Sequence, residues 1–268
     1  CIAKIVAEIN IAVNNKEHSM AREEFSQRLS ALSKQLGMNL QEEQLQQFYG
    51  YYTLLVEKNK VMNLTAITEE EDVIVKHFID SLAMAKLNVS RETFSNWIEG
   101  KRCMDVGTGA GFPGLAIKIA FPSISLSLSD SLQKRIHFLE DVVKELGLKD
   151  VSFHHGRAED LGKNPELREQ YDLVFSRAVA NLSTLSEYDL PFVKKGGYFL
   201  ALKSKDIAEE LEKGKKAIHL LGGKLEEVLE YTLPETDIGR SLLLVQKIEN
   251  TAKKYPRKAG VPSKEPLG

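Results

Sequence analysis

Residues 103–114 read Cys-Met-Asp-Val-Gly-Thr-Gly-Ala-Gly-Phe-Pro-Gly, and this stretch limits the fold more tightly than any other. Its first four residues are a short apolar run around one acid, Asp105, and predict a strand. Gly107, Gly109 and Gly111 predict a tight turn. Pro113 then opens a helix, near a first position where its missing N–H is not needed. Glycines let backbone amides approach a ligand with no Cβ in the way, and a helix N-terminus favours a negative or polar group. The segment therefore predicts a strand, a nucleotide-sized cradle and a helix in succession.

The rest of the chain from Arg102 supports that reading. Strand candidates at Arg102–Val106, Ser125–Ser129, Val151–His155, Asp172–Ser176 and Tyr198–Lys203 alternate with helical patterns near 113–120, 131–146, 181–190 and 206–221. In the clearest of these, Leu132, Ile136, Leu139, Val143 and Leu146 share one face, with Gly147 behind them. Such alternation implies an α/β fold with a doubly wound parallel sheet. Leu225–Leu233 and Arg240–Ile248 are separated only by Pro234 to Gly239, too short a link for a crossover helix, so the sheet should close with an antiparallel hairpin. Residues 96–249 are expected to form this Rossmann-like domain.

Residues 20–95 read as a helical extension. Phe25, Leu29, Leu32 and Leu36 mark one helix with Gly37 as its stop, and Leu45, Phe48, Tyr52, Leu55 and Val56 mark a second. Asn63 to Thr68 breaks the pattern. Thr68 with Glu71 reads as a capping box for a third helix carrying Val73, Ile74, His77, Phe78 and Leu82. Residues 1–19 have no starting Met and read as an extension without a role in the fold, Met20 being the expected natural start. Residues 250–268 hold three prolines and no periodicity, which predicts a mobile tail, and Lys247 to Gly268 carries six Lys/Arg against two Glu.

Composition narrows the function. A net charge of −2 excludes a generally basic nucleic-acid binder, so any such role needs a local patch. Two cysteines cannot build a disulfide framework or a zinc site, which fits a reducing cytoplasm. His154-His155 lacks a third ligand nearby and reads as strand, so no metal is expected. No run approaches the roughly 18 apolar residues that would predict a membrane span. A monomer is the default expectation.

The glycine turn leaves the cofactor open. Gly109 to Gly114 satisfies G-x-G-x-x-G literally, so a nicotinamide oxidoreductase must be weighed. Asp105, two residues before Gly107, instead gives the acid-x-Gly-x-Gly-x-Gly pattern of S-adenosylmethionine sites. Asp130 closes the second strand, placed to accept hydrogen bonds from ribose hydroxyls, a feature dinucleotide enzymes share. Ala158 and Glu159, after the third strand, offer a backbone amide and a carboxylate near an adenine position. A terminal antiparallel hairpin favours a methyltransferase sheet.

Asp105 to Gly114, Val75 to Leu82, Ser176 to Ala180, Ala201-Leu202-Lys203 and Tyr255-Pro256-Arg257-Lys258 together resemble the bacterial glucose-inhibited division protein B family, also called ribosomal small-subunit methyltransferase G. The resemblance covers about Met20 to the end. It implies a class I S-adenosylmethionine-dependent methyltransferase fold with an N-terminal helical extension. It also implies methyl transfer to N7 of one guanine (guanine 527 in conventional numbering) of 16S ribosomal RNA in the small subunit. By that similarity Gly107, Phe112, Ala158, Glu159 and Arg177 are cofactor contacts.

The chemistry agrees with that expectation. Guanine N7 has an in-plane lone pair and no proton, so attack on a sulfonium methyl needs alignment rather than a general base. Exocyclic amino methylation would bring an Asn/Asp-Pro-Pro-aromatic run where this chain has Ser176-Arg177-Ala178-Val179. Pyrimidine C5 methylation needs a nucleophilic Cys, and Cys103 lies inside the first strand. Lys203 with Asp172 keeps 2′-O-methylation open. A non-catalytic ribosome-assembly factor and a small-molecule methyltransferase also remain as alternatives. Arg177, Asn63 and His77 are the candidate positioning residues. Lys203 and the cluster Lys253, Lys254, Arg257 and Lys258 are candidates for RNA phosphate.

Overall fold

The computed structural model describes residues 21–177 and 180–268. The expectations for residues 1–19 and Met20 lie outside them. Helix α1 occupies 21–35 and Gly37 follows it at φ +78°, as a stop requires. Helix α2 is Glu42–Met62, and a third helical stretch runs as α3 (Glu70–Val73), a π-helical turn (Ile74–Ile79) and α4 (Asp80–Leu82). Thr68 does not cap it: the helix starts at Glu70 with no side-chain cap bond. The preceding loop is tied from elsewhere, the Asn59 side chain accepting the N–H groups of Leu64 and Thr65, and the Thr65 hydroxyl that of Ile67.

A small hairpin (β1, Asn88–Val89; β2, Glu92–Thr93) and α5 (Phe94–Trp97) lead into the sheet. There β3 (Arg102–Val106), α6 (Gly114–Ala120), β4 (Ser125–Asp130), α7 (Gln133–Glu145), β5 (Val151–His155) and the short α8 (Ala158–Leu161) follow. Next come β6 (Tyr171–Arg177), α9 (Leu182–Asp189), β7 (Val193–Ser204), α10 (Ala208–Leu220), β8 (Gly223–Thr232), β9 (Gly239–Lys247) and α11 (Val261–Lys264). The strand order is β5-β4-β3-β6-β7-β9-β8, the first five parallel and β9 antiparallel to both its neighbours. This is the α/β, Rossmann-like arrangement with its closing hairpin.

The strands alternate between two cores, as period-two geometry demands. Cys103, Leu173, Phe175, Leu200, Leu202, Leu242 and Leu244 point into one cluster together with Phe25, Phe48, Phe78, Ile117 and Leu139. Met104, Val106, Val174, Phe199, Leu243 and Val245 point into the other with Leu182, Leu185, Ile218 and Tyr255. The N-terminal helices therefore share a core with one sheet face. On α7 the buried row is Ile136, Phe138, Leu139 and Val142. Leu132, expected on that face, is 43% exposed at the helix start, where its N–H donates to Asp130 Oδ1.

The tail is not mobile as expected; it packs across α9 and α8. Arg257 pairs with the fully buried Glu187 at 2.7 Å, Gly260 N–H donates to Glu159 Oε1 at 2.7 Å, and Arg168 donates to the carbonyls of Tyr255 and Thr251. Tyr255 and Pro256 are buried. Lack of periodicity misled because short irregular chain can be fixed by side chains from other elements, here Arg168, Glu187 and Glu159.

Candidate active site

Strand order reverses between β3 and β6, and in open α/β sheets ligands bind outside the carboxyl ends of the strands at that reversal. The glycine turn sits there. Asp105 Oδ2 accepts from the Thr108 hydroxyl at 2.7 Å and from Gly114 N–H at 2.8 Å, stitching the strand end to the start of α6. Gly114 must be glycine, since a Cβ would lie 2.6 Å from Leu128 Cδ2 and 2.7 Å from Asp105 Oδ2. Asp105 is fully buried, its Oδ1 has no partner among the described residues, and burial raises its pKa to about 7. The acid of the glycine pattern thus shapes the turn and does not line a cavity.

A cavity of about 300 Å³ opens over the ends of β3, β4 and β5. Gly107, Asp130, Arg135, Ala158, Glu159 and Tyr188 are among its walls. Gly107 adopts φ +71°, a conformation that β-branched residues resist. Gly109 does not line it; its N–H donates to Asp130 Oδ2 at 3.0 Å. Asp130 is 3% exposed and also receives Arg135 Nη1 at 3.2 Å on Oδ2 and Leu132 N–H on Oδ1. A carboxylate offers about four lone-pair sites. The N–H groups of Gly109 and Leu132 take two of these, and the other two suit ribose hydroxyls in place of the partly exposed Arg135. With a cavity of this size, a buried acid at the β4 end and a left-handed glycine at the β3 end, the residues fit an adenosyl group. Glu159 is buried and accepts from Gly260 of the tail, so the tail braces that wall.

Phe112, expected to contact the cofactor, packs against the N-terminal helices. It stacks on Tyr51 with centroids 5.1 Å apart, and on His77. Tyr51 Oη donates to the Ala110 carbonyl at 2.5 Å, and a Cβ on Gly111 would collide with the Tyr51 hydroxyl. The helical pattern picks out the adjacent Tyr52; the spacing of Tyr51, three residues after Phe48, carries the same signal.

A second cavity, about 410 Å³, is lined by Lys76, His77, Asp80, Arg177, Lys203, Glu210 and Arg240 among others. His77 Nδ1 accepts from Arg177 Nη2 at 3.1 Å, so its proton sits on Nε2, which donates to the Thr65 hydroxyl at 3.0 Å. Burial and the neighbouring Arg177 charge lower the His77 pKa to about 3, and the ring is neutral. Arg177 also pairs with Asp80 at 3.0 Å. Lys203 pairs with Glu210 at 2.6 Å and donates to Ala180 O, with 12% of its side chain exposed. Asp172, its suggested partner in a lysine-acid set, pairs with Lys194. Asn63 ends α2 in the left-handed region, exposed, and lines neither cavity. Lys253, Lys254 and Lys258 are exposed, whereas Arg257 is engaged by Glu187. Arg135 and Arg240 carried no sequence signal for their roles, and Asp80, within the Val75–Leu82 motif, showed no partner; these roles arise only from pairing across elements.

Residues 44–238 match the family model described as rRNA small subunit methyltransferase G. A Ribosomal RNA small subunit methyltransferase G of Alkaliphilus metalliredigens is 51% identical over 234 residues, 87% of this chain and 95% of that protein. One from Clostridium tetani is 48% identical over 239 residues, 89% of this chain and 97% of that protein. Among solved structures, MtNAS matches with a TM-score of 0.50 at 13% identity, over 77% of this chain and 76% of that one, a likeness of fold. On the family model and these relatives, the chain belongs to the rRNA small subunit methyltransferase G family.

Proposed function

We propose that this chain transfers the methyl group of S-adenosylmethionine to N7 of a guanine, guanine 527, in 16S ribosomal RNA. The observation that carries the reading is the family match over 44–238, whose span includes the turn, Asp130 and Glu159 around the first cavity. S-adenosylmethionine supplies an electrophilic methyl on a positively charged sulfur. Gly107, Asp130, Ala158 and Glu159 hold it, with Gly109 fixing Asp130 from behind. The guanine enters from the second cavity, where His77 and Arg177 position it.

The chain's part in the reaction is alignment. An unprotonated N7 lone pair needs no base, and His77, already neutral and committed at both ring nitrogens, is not used as one. Lys253, Lys254 and Lys258 add phosphate contacts on the tail face. No helix among the described residues is long and apolar enough to cross a membrane. The enzyme works in the cytoplasm as a monomer.

Incubation with small-subunit particles and methyl-labelled S-adenosylmethionine tests the reading. Label should be recovered as 7-methylguanine from one position. Label on a ribose, on an exocyclic amine or absent from the RNA overturns it.

A further inference from the structure

Four cations, Lys76, Arg177, Lys203 and Arg240, face two acids, Asp80 and Glu210, around the second cavity. The excess of positive charge suits an anion, and a nucleic acid brings one phosphate per nucleotide. The cavity lies at the carboxyl ends of β6 and β7. The antiparallel β9 begins at that same edge, Arg240 pairing with Ser204, and so delivers an arginine where parallel strands only finish.

Two of the cations are tightly engaged, and the third, Lys76, is a flexible point charge in a surface pair, 33% exposed. Arg177 donates to the Lys76 carbonyl, His77 and Asp80. Lys203 is held by Glu210 and Ala180, and Lys76 pairs with Asp72 at 2.7 Å. Arg240 differs. Its Nε donates to Asp80 Oδ1 at 3.1 Å and its Nη1 to the Gly239 carbonyl at 3.3 Å. Among the described residues these bonds occupy two of its five N–H donors, and 24% of the side chain stays exposed.

Asp80 is the fixed point. It is 4% exposed, with Oδ2 on Arg177 and Oδ1 on Arg240 and on the Tyr231 hydroxyl. One buried carboxylate between two guanidinium groups removes their repulsion and locks both side chains before any ligand arrives. Rotamer freedom lost in advance is not lost again on binding.

We propose that Arg240, locked by Asp80, binds the backbone phosphate of the target nucleotide when that nucleotide enters the second cavity. The inference rests on the methyl-transfer reading. A base inside a folded RNA reaches an active site only when swung out of its stack, and a phosphate anchor beside the receiving cavity holds the strand in that conformation. Arg177 then orients the base and Arg240 holds the backbone.

The full-length chain and its Arg240→Gln and Arg240→Lys variants are assayed on small-subunit particles across a salt series, with S-adenosylhomocysteine affinity measured in parallel. Arg240→Gln should raise KM for the particle about tenfold, with the loss in KM rather than kcat. It should also lower the log–log salt slope by about 1. Arg240→Lys should keep the slope, and S-adenosylhomocysteine affinity should not change. An unchanged KM and slope in Arg240→Gln overturns the inference. So does a fall in S-adenosylhomocysteine affinity with an unchanged slope, which marks a packing role. If the unmodified chain transfers no methyl group, the functional reading fails and takes this inference with it.

Discussion

The imidazole of His77 lies on the ring of Phe112, centroids 4.4 Å apart and planes 14° from parallel. Arg177 completes the group, its guanidinium carbon 5.4 Å from the Phe112 centroid. His77 belongs to the π-helical turn and Phe112 to the glycine turn. One stack therefore joins the wall of the second cavity to the loop beside the first, and π-helical turns often mark functional sites.

Tyr51→Phe removes the hydroxyl that satisfies Ala110 O and keeps the ring stack. An unsatisfied buried carbonyl should cost about 1–3 kcal/mol. S-adenosylhomocysteine affinity should fall with it, because the turn loses its tether. Calorimetric titration and denaturant unfolding check both, and an unchanged pair of values would show that the turn holds itself.

His77 makes stability depend on pH in a defined direction. Unfolded, it binds a proton near 6.5; folded, only at about 3. Between those values the unfolded chain binds more protons, so this group's contribution is present above about 6.5 and is lost as pH falls below it. Asp105 acts oppositely, its folded pKa of about 7 favouring the folded state as pH falls from 7 toward 3.8. The two offset each other in the unmodified chain. His77→Gln isolates one of them: its stability deficit against the unmodified chain should shrink by about 2 kcal/mol between pH 7 and pH 5. Denaturant titrations at both pH values measure this, and a constant deficit would mean that His77 titrates normally.

Asp130→Ala should weaken S-adenosylhomocysteine binding by about ten- to a hundredfold, the loss of two charged hydrogen bonds. Arg135→Ala should leave the affinity unchanged or tighten it, since Arg135 competes for the same Oδ2. Isothermal titration of both variants separates the two roles. Weakening by Arg135→Ala would show that Arg135 instead touches the ligand.

Arg257→Ala strips the partner from a fully buried Glu187 and should destabilise the fold by about 3–5 kcal/mol. Lys253→Gln with Lys254→Gln should spare stability and flatten the salt dependence of RNA binding. Thermal unfolding and filter binding distinguish them. Equal effects of both changes on the salt slope would return Arg257 to the RNA surface.

Much of the architecture was legible because its signals are local. The turn at 107–114 needs glycine for space, the strands alternate with period two, and six residues between two strands permit only a hairpin. Gly107, Asp130, Ala158, Glu159, Arg177 and His77 all line one of the two cavities. Phe112, expected among the cofactor contacts, and Gly109 of the turn both have structural partners that no local pattern reveals: one stacks on the N-terminal helices, the other fixes Asp130. Arg257 read as a free cation because no neighbour in sequence reveals Glu187, seventy residues away.

The sequence alone determined the sheet, its order of elements and the place where a nucleotide-like group can sit, because backbone geometry and hydrophobic period act over a few residues. Tertiary structure alone decided which charges are spent and which remain available. Asp80 meets Arg177 and Arg240 across 97 and 160 positions. Whether a charged side chain is a binding group or a buried strut depends on the partner that folding brings to it.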